Sequence, residues 1–202
     1  MLDNSKARSI AAYVVDPIAK RLLAAGIKPN QVTVFTAFTS SAIVIATWTQ
    51  GHFWIGFLLS LPFVFGDLID GTMARLSGTE SKFGSFLDSV LDRVTDAAIF
   101  GSLVFYFAST GDTTSAALAT WSLATAIIIS YIRAKADAVG VDCKVGIMER
   151  SERLAVLALA VISLQFGYEP ALSVAVLVLA FMNSFTVFQR LKHVSRVLNE
   201  TR

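Results

Sequence analysis

Cysteine, histidine and charge are all scarce in this chain: one Cys, two His and 16% charged residues among 202. A lone cysteine, Cys143, excludes an intrachain disulfide and makes no metal signature by itself. The net charge of +2 is too small a surplus for a nucleic-acid-binding surface. The amino-terminal stretch MLDNSKARSIAAYVVDPIAKRLLAAGIKPN lacks the short apolar core and small-residue cleavage site of a signal peptide. No connecting segment is long enough to fold independently, so residues 1–202 are expected to form a single domain.

What the chain has in excess is apolar side chain. Hydrophobic residues make up 54% and the mean hydropathy is +0.63, well above the balance of a soluble domain. Apolar runs of about 20 residues suit a hydrocarbon core ~30 Å thick. Six are read, at 31–50, 53–75, 84–108, 114–139, 151–167 and 170–194. The expected fold is therefore all-α: a polytopic membrane protein with a six-helix bundle over 31–195, a cytoplasmic interfacial segment over 1–30 and a tail over 196–202. In the first segment Asp16 and Pro17 read as an N-cap and first helical residue, with Gly26 as the stop. Ile18, Leu22 and Leu23 fall on one side, Lys20 and Arg21 near the other. That pattern reads as an amphipathic helix on the membrane surface; the competing reading is the first turns of a longer spanning helix.

Six spans leave outer loops near Gly51-His52, Ser109–Thr113 and Phe166–Pro170, none with a Lys or Arg. All 17 basic residues fall in the terminal segments, the inner loops or the helix ends beside them. The positive-inside rule then puts both termini in the cytoplasm of a plasma-membrane protein, and the basic inner surface suits anionic lipid.

Against that background one stretch stands out, GDLIDGTMARLSGTESKFGSFLDSVLDRVTD at 66–96, with Asp67, Asp70, Asp88, Asp92 and Asp96. Asp67 and Asp70 are three apart and Asp88 and Asp92 four apart, so each pair projects from one helical face. A short turn at Leu76–Ser81 would fold the two helices back on one another. Four converging carboxylates in a partly dehydrated place repel unless cations neutralise them. Oxygen ligands at that density suit Mg²⁺ or Mn²⁺, and two ions about 3.5–4 Å apart form a clamp for phosphoryl displacement. Gly71 and Gly84 remove side chains where a helix or ligand comes close, and Arg75 offers a planar donor fork for phosphate. Two other readings compete: interfacial acids paired with Arg75, Lys82 and Arg93, and an ion-coupled membrane transporter. Transporter sites lie near the bilayer midplane, whereas these acids lie near helix ends, which favours chemistry on a cytoplasmic substrate.

The spacing Asp67-x₂-Asp70-Gly71-x₂-Ala74-Arg75-x₈-Gly84-x₃-Asp88-x₃-Asp92 resembles, position for position, the signature of the CDP-alcohol phosphotransferase family. The resemblance extends to the six-span layout and so covers nearly the whole chain. It implies a membrane-embedded, homodimeric enzyme that attacks the diphosphate of a CDP-linked alcohol and releases CMP. It also implies that Asp67, Asp70, Asp88 and Asp92 hold the metals, with Asp92 doubling as the base for the acceptor hydroxyl. Lys28, Pro29, Asn30, Gln31, Asp67, Gly71, Ala74, Arg75, Ser81 and Gly84 would meet the CDP-lipid. On its own chemistry, Pro29-Asn30 could equally be a helix start with Asn30 as N-cap.

The second half narrows the acceptor. SYIRAKADAVG, MERSERL and FQRLKHVSR bring cations to three inner helix ends, a placement that ordinary positive-inside flanking also produces. The pattern resembles the phosphatidylinositol phosphate synthases of actinobacteria, which join inositol 1-phosphate to CDP-diacylglycerol. A phosphorylated acceptor needs a cationic pocket, and the resemblance points to Lys135, Arg153 and Arg190, with Arg133 as a fourth. The order Arg-Ala-Lys, where some relatives have Lys-Ala-Arg, leaves either residue to reach the phosphate. Glycerol 3-phosphate, the acceptor of phosphatidylglycerophosphate synthase, would suit the same cations. A carrier that kept the fold without catalysis is disfavoured by the intact acid set.

Overall fold

A computed structural model of the chain describes residues 15–64 and 66–200, with Asp67 described in its backbone only. Among these residues the secondary structure is entirely helical. Helix α1 covers 15–24; then follow α2 (Pro29–Trp48), α3 (Phe53–Val64), α4 (Gly66–Ser77), α5 (Lys82–Ser109), α6 (Thr113–Ala138), α7 (Arg150–Gln165) and α8 (Ala171–Glu200). Each expected span corresponds to one helix, except that the second comprises α3 and α4. The last helix continues into the expected tail, as far as Glu200, where Arg196 Nε sits 3.9 Å from Glu200 Oε1 one turn on.

Glycine ends most of these helices by one mechanism. At Gly26, with φ +78°, the Gly26 N–H donates to Leu23 O and the Ile27 N–H to Leu22 O, at 2.9 and 3.0 Å. This satisfies carbonyls that a helix end leaves orphaned, in a left-handed conformation that costs glycine nothing. The same bond pair recurs at Gly51, Gly78, Gly111, Gly140 and Gly167.

Four helical stretches are long and apolar enough to cross a membrane: Pro29–Trp48, Phe53–Ser77, Thr113–Ala138 and Ala171–Glu200. The 16 residues of α7 are too few on that criterion, and α5 carries Lys82, Asp88, Asp92, Arg93 and Asp96 within its first 15 residues. Large apolar side chains such as Phe35, Phe38, Phe105, Leu159, Phe181 and Phe188 are exposed, which is the expected surface where the solvent is lipid. The chain is a polytopic membrane protein.

The chain divides into two compact units, Met1–Ile43 with Leu58–Thr95, and Val44–Phe57 with Asp96–Arg202. In the first, Ala19, Val32 and Met73 are buried together, with Leu22, Leu23, Ile27 and Ile69 packed against them. Helix α1 thus stands apart from α2 behind the Gly26 turn, and two details of its reading change. Residues 15 and 16 are already helical, so Asp16 is not the N-cap. The buried stripe runs through Val15, Ala19, Leu22 and Leu23, leaving Ile18 40% exposed; at about 100° per residue Ile18 lies roughly 85° from the centre of that stripe. Residues 1–14 of the expected interfacial segment lie outside the described residues. A tight crossing closes the unit: a side chain at Gly66 would meet Thr36 Cγ2 and Oγ1 at 2.6 Å.

In the second unit Trp48, Phe53, Phe100, Leu103, Phe107, Leu157, Val161, Val176 and Leu179 belong to one buried cluster. Helices α6 and α8 contact each other extensively, and both bury small residues, Ala119, Ser122 and Ala126 on one and Ala171, Ala175 and Ala180 on the other. Small residues let backbones approach where lipid supplies no hydrophobic drive. Polar bonds fix the register: Asn183 Nδ2 donates to Ser122 O at 3.2 Å and Trp121 Nε1 to Ser184 Oγ at 2.8 Å. The 139–149 loop is tied to α8 by Met148 N–H to Thr186 Oγ1, Arg190 Nε to Val145 O and His193 Nε2 with Asp142 O, at 3.2, 2.8 and 3.1 Å. Cys143, within that loop, is buried with Ala136 and Val141.

Candidate active site

The helix start at 28–31 settles one open alternative. Pro29 is the first helical residue, where its missing N–H costs nothing. Gln31 Oε1 accepts the Lys28 N–H at 2.9 Å, the reciprocal half of a capping box. Asn30 is therefore not the cap, because the helix begins two residues earlier than that reading assumed. Its side chain instead borders a cavity of about 360 Å³ in the first unit.

That cavity collects most of the expected nucleotide and metal residues: Pro29, Asn30, Asp70, Gly71, Ala74, Arg75, Ser81, Gly84 and Asp88 line it, with Thr33, Thr79, Glu80 and Ser85. The last four were missed, since they carry no signal beyond adjacency to the motif. Lys28 and Gln31 lie outside the lining. The two motif glycines do different work. A side chain at Gly84 would press within 3.2 Å of Asn30 Oδ1 and 3.3 Å of Ser81 Oγ, so Gly84 allows a close helix approach. At Gly71 it would meet only Arg75 Nη1, at 3.7 Å, so that glycine leaves open space. Ser81 Oγ accepts the Gly84 N–H at 3.0 Å and caps α5. Arg75 Nη2 donates to Thr72 Oγ1 at 2.9 Å, which fixes the guanidinium on the cavity wall.

Asp70 is 8% exposed. Asp92 is half-buried, with Arg93 Nη2 at 3.4 Å from its Oδ2, so one of the ion pairs in the interfacial reading is present. Among the described residues no group of three His, Cys, Asp or Glu side chains is close enough to hold a metal ion; the Asp67 side chain is not among them. The cavity offers carboxylate oxygens from Asp70, Glu80 and Asp88 and neither thiolate nor imidazole. That donor chemistry fits a hard divalent cation.

The expected acceptor cations belong to the second unit and divide into two kinds. Arg153 and Arg190 are each 2% exposed, whereas Arg133 and Lys135 are exposed at the end of α6. Arg153 Nη2 donates to Asp96 Oδ2 at 2.9 Å and Nη1 to Met148 O at 3.4 Å. Arg190 donates to Val145 O and, through Nη1, to Ile129 O, each at 2.8 Å, and lies 3.7 Å from Glu149 Oε1. Its charged neighbours are Glu149, Arg133 and Arg153. Lys135 Nζ instead lies 5.9 Å from the centroid of the Tyr131 ring. Helical geometry explains the split. At about 100° per residue, Arg133 sits about 40° around α6 from the Ile129 carbonyl that Arg190 holds, and Lys135 about 240°. Neither Asp96 nor Glu149 was assigned a role from sequence; only their places in an acid-rich and a basic stretch pointed to them.

Residues 27–187 match the family model for CDP-alcohol phosphatidyltransferase. The chain belongs to that family. Its likeness to individual phosphatidyltransferases extends over almost the whole length. It is 40% identical over 187 residues to the phosphatidylinositol phosphate synthase of Mycobacteroides abscessus, covering 91% of this chain and 84% of that one. To the Cutibacterium acnes enzyme of the same name it is 39% identical over 194 residues, covering 92% and 94%. The crystal structure of Mycobacterium tuberculosis phosphatidylinositol phosphate synthase with CDP-DAG bound matches with a TM-score of 0.87 and 34% identity, over 91% of this chain and 94% of that one. The same enzyme in complex with manganese and citrate matches with a TM-score of 0.85 and 34% identity, over 90% and 88%. This phosphatidyltransferase is accordingly an enzyme of phospholipid biosynthesis, and the transporter reading falls away.

Proposed function

We propose that this chain transfers the phosphatidyl group of CDP-diacylglycerol to inositol 1-phosphate, giving phosphatidylinositol phosphate and CMP. The observation that carries the reading is one cavity lined by Asp70, Gly71, Ala74, Arg75, Gly84 and Asp88, in a phosphatidyltransferase up to 40% identical to phosphatidylinositol phosphate synthases.

The cytidine diphosphate enters the cavity of the first unit. Gly71 leaves room for a flat base or phosphate against α4, and Arg75, steadied by Thr72, directs its fork at a phosphate oxygen. Asp67, Asp70, Asp88 and Asp92 would hold two divalent ions, Mg²⁺ or Mn²⁺, whose charge would offset the diphosphate and the developing charge on the leaving phosphate. The acceptor hydroxyl oxygen attacks the phosphorus that bears the diacylglycerol. As that O–P bond forms, the P–O bond to cytidylate breaks, CMP leaves with the bonding pair, and the hydroxyl proton passes to the Asp92 carboxylate. Arg133, Arg153 and Arg190 receive the acceptor's own phosphate.

In the same proposal residues 1–202 act as one domain. The helices α5 and α7 complete six spans, α1 lies on the cytoplasmic surface, and two copies form a homodimer. The site and both termini face the cytoplasm, supported by outer loops free of Lys and Arg. The test is CMP release by purified protein in detergent with Mg²⁺ or with chelator, offered inositol 1-phosphate, inositol or glycerol 3-phosphate. Metal-dependent release with inositol 1-phosphate alone is expected. Preference for glycerol 3-phosphate would install phosphatidylglycerophosphate synthesis, which the same arginines would suit. No release with either phosphorylated acceptor would overturn the proposal.

A further inference from the structure

Asp96 belongs to the acid-rich stretch but not to the family signature, which closes at Asp92. Its carboxylate is 2% exposed. Oδ2 accepts from Arg153 Nη2 at 2.9 Å, and Oδ1 lies 3.7 Å from Arg150 Nε. One buried carboxylate thus meets two arginines from the first turn of α7, a separate oxygen for each.

We infer that Asp96 is a positioning residue for the acceptor phosphate, acting through Arg153. The inference rests on the reading above that Arg153 meets that phosphate. Arg153 reaches Asp96 and Met148 O through its two terminal nitrogens, while its Nε is buried without a hydrogen-bond partner among the described residues. A guanidinium has five N–H donors in a rigid fork, so fixing the terminal nitrogens also fixes where Nε points. A buried donor left unmatched is costly unless a ligand completes it.

Charge supports the same assignment. Arg150 and Arg153 both face Asp96, and Arg190 faces Glu149. A cluster of arginines suits the doubly charged phosphomonoester that an acceptor carries near neutral pH. Without Asp96, Arg153 keeps only the Met148 O contact at Nη1.

Asp96→Asn separates this role from simple packing. The amide keeps one acceptor oxygen but turns a donor NH₂ towards the other arginine, so the carboxylate's two-sided hold is lost. With wild-type turnover of a phosphorylated acceptor established first, the acceptor KM of Asp96→Asn is expected to rise about tenfold or more, the effect of one lost charge-assisted bond. The donor KM should stay within about twofold, which also certifies a folded protein. Combining Asp96→Asn with Arg153→Gln should raise the acceptor KM no further than Arg153→Gln alone. Asp96→Glu keeps the charge and both oxygens and should restore most of the acceptor affinity; it carries the same test if the Asn variant does not fold. An unchanged acceptor KM, equal changes in both KM values, or additive effects in the double variant would overturn the inference. Absence of wild-type turnover would instead sink the proposed function.

Discussion

Gly71→Ala offers a test in which stability and function move in opposite directions. Gly71 lies inside α4 with ordinary helical φ, and an added Cβ would meet only Arg75 Nη1, at 3.7 Å. The backbone is therefore ready for alanine, and replacing a mid-helix glycine is worth about 0.5–1 kcal/mol. For a chain of this size that gain raises the Tm by about 1–4 °C. The new methyl, however, projects into the cavity that Arg75, Asp70 and Asp88 share. If a base or phosphate lies flat against this helix, the overpacking costs about 1–3 kcal/mol, or about a 5- to 150-fold rise in donor KM. Thermal unfolding in detergent and the KM for CDP-diacylglycerol supply the two readings. A lower Tm would mean that the methyl meets something else, and a higher Tm with unchanged donor KM would remove Gly71 from the donor site.

The other expectations concern separate parts of the molecule. Asp92→Asn should cut turnover by about 10²–10⁴-fold, the usual weight of a general base, with CDP-lipid binding nearly intact; equal losses of both would make Asp92 chiefly a metal ligand. Gly66→Ala should destabilise by about 1–3 kcal/mol, because its Cβ would lie 2.6 Å from Thr36, and an unchanged Tm would refute the tight crossing. Asp112 accepts the Ser115 N–H at 3.0 Å at the start of α6; the Ser115 hydroxyl first, then this N–H and a weaker bond from Ser173, hold its carboxyl below the usual carboxylate range. A depressed pKa stabilises fully above the unfolded value and fades as pH falls through the folded one. Asp112→Ala should therefore lower the Tm at pH 7, with the difference from wild type closing below about pH 4. A gap that persists in acid would assign the loss to packing.

Local chemistry was legible in the sequence and long-range pairing was not. The apolar runs mark the helices because 20-residue segments are sized by the membrane, and Gly26 announces its helix end because only glycine adopts that turn freely. The acid motif locates a cavity because helical spacing alone sets its faces. Hidden from sequence were the partners that lie 40 to 60 positions away. Arg153 reads as one more inner-face cation until Asp96, 57 residues earlier, is found against it. Arg190 likewise looked free to take a phosphate, yet two of its donors hold the carbonyls of Val145 and Ile129. That Arg133 shares the face of α6 that Arg190 holds, and Lys135 does not, needed the angular position of Ile129, which no basic-residue count supplies. At Asp16 and Ile18 the error was one of phase, since a ten-residue helix gives too few turns to fix its buried stripe.

The loop at 139–149 has an arithmetic of its own. Its anchors, Asp142, Val145 and Met148, step by three, while their counterparts His193, Arg190 and Thr186 step back along α8 by three and four. Each tether thus advances about one helical turn, roughly 5.4 Å, and the segment is metered against its neighbour like a rack on a pinion. An inserted or deleted residue between 142 and 148 would throw every later anchor off its mate.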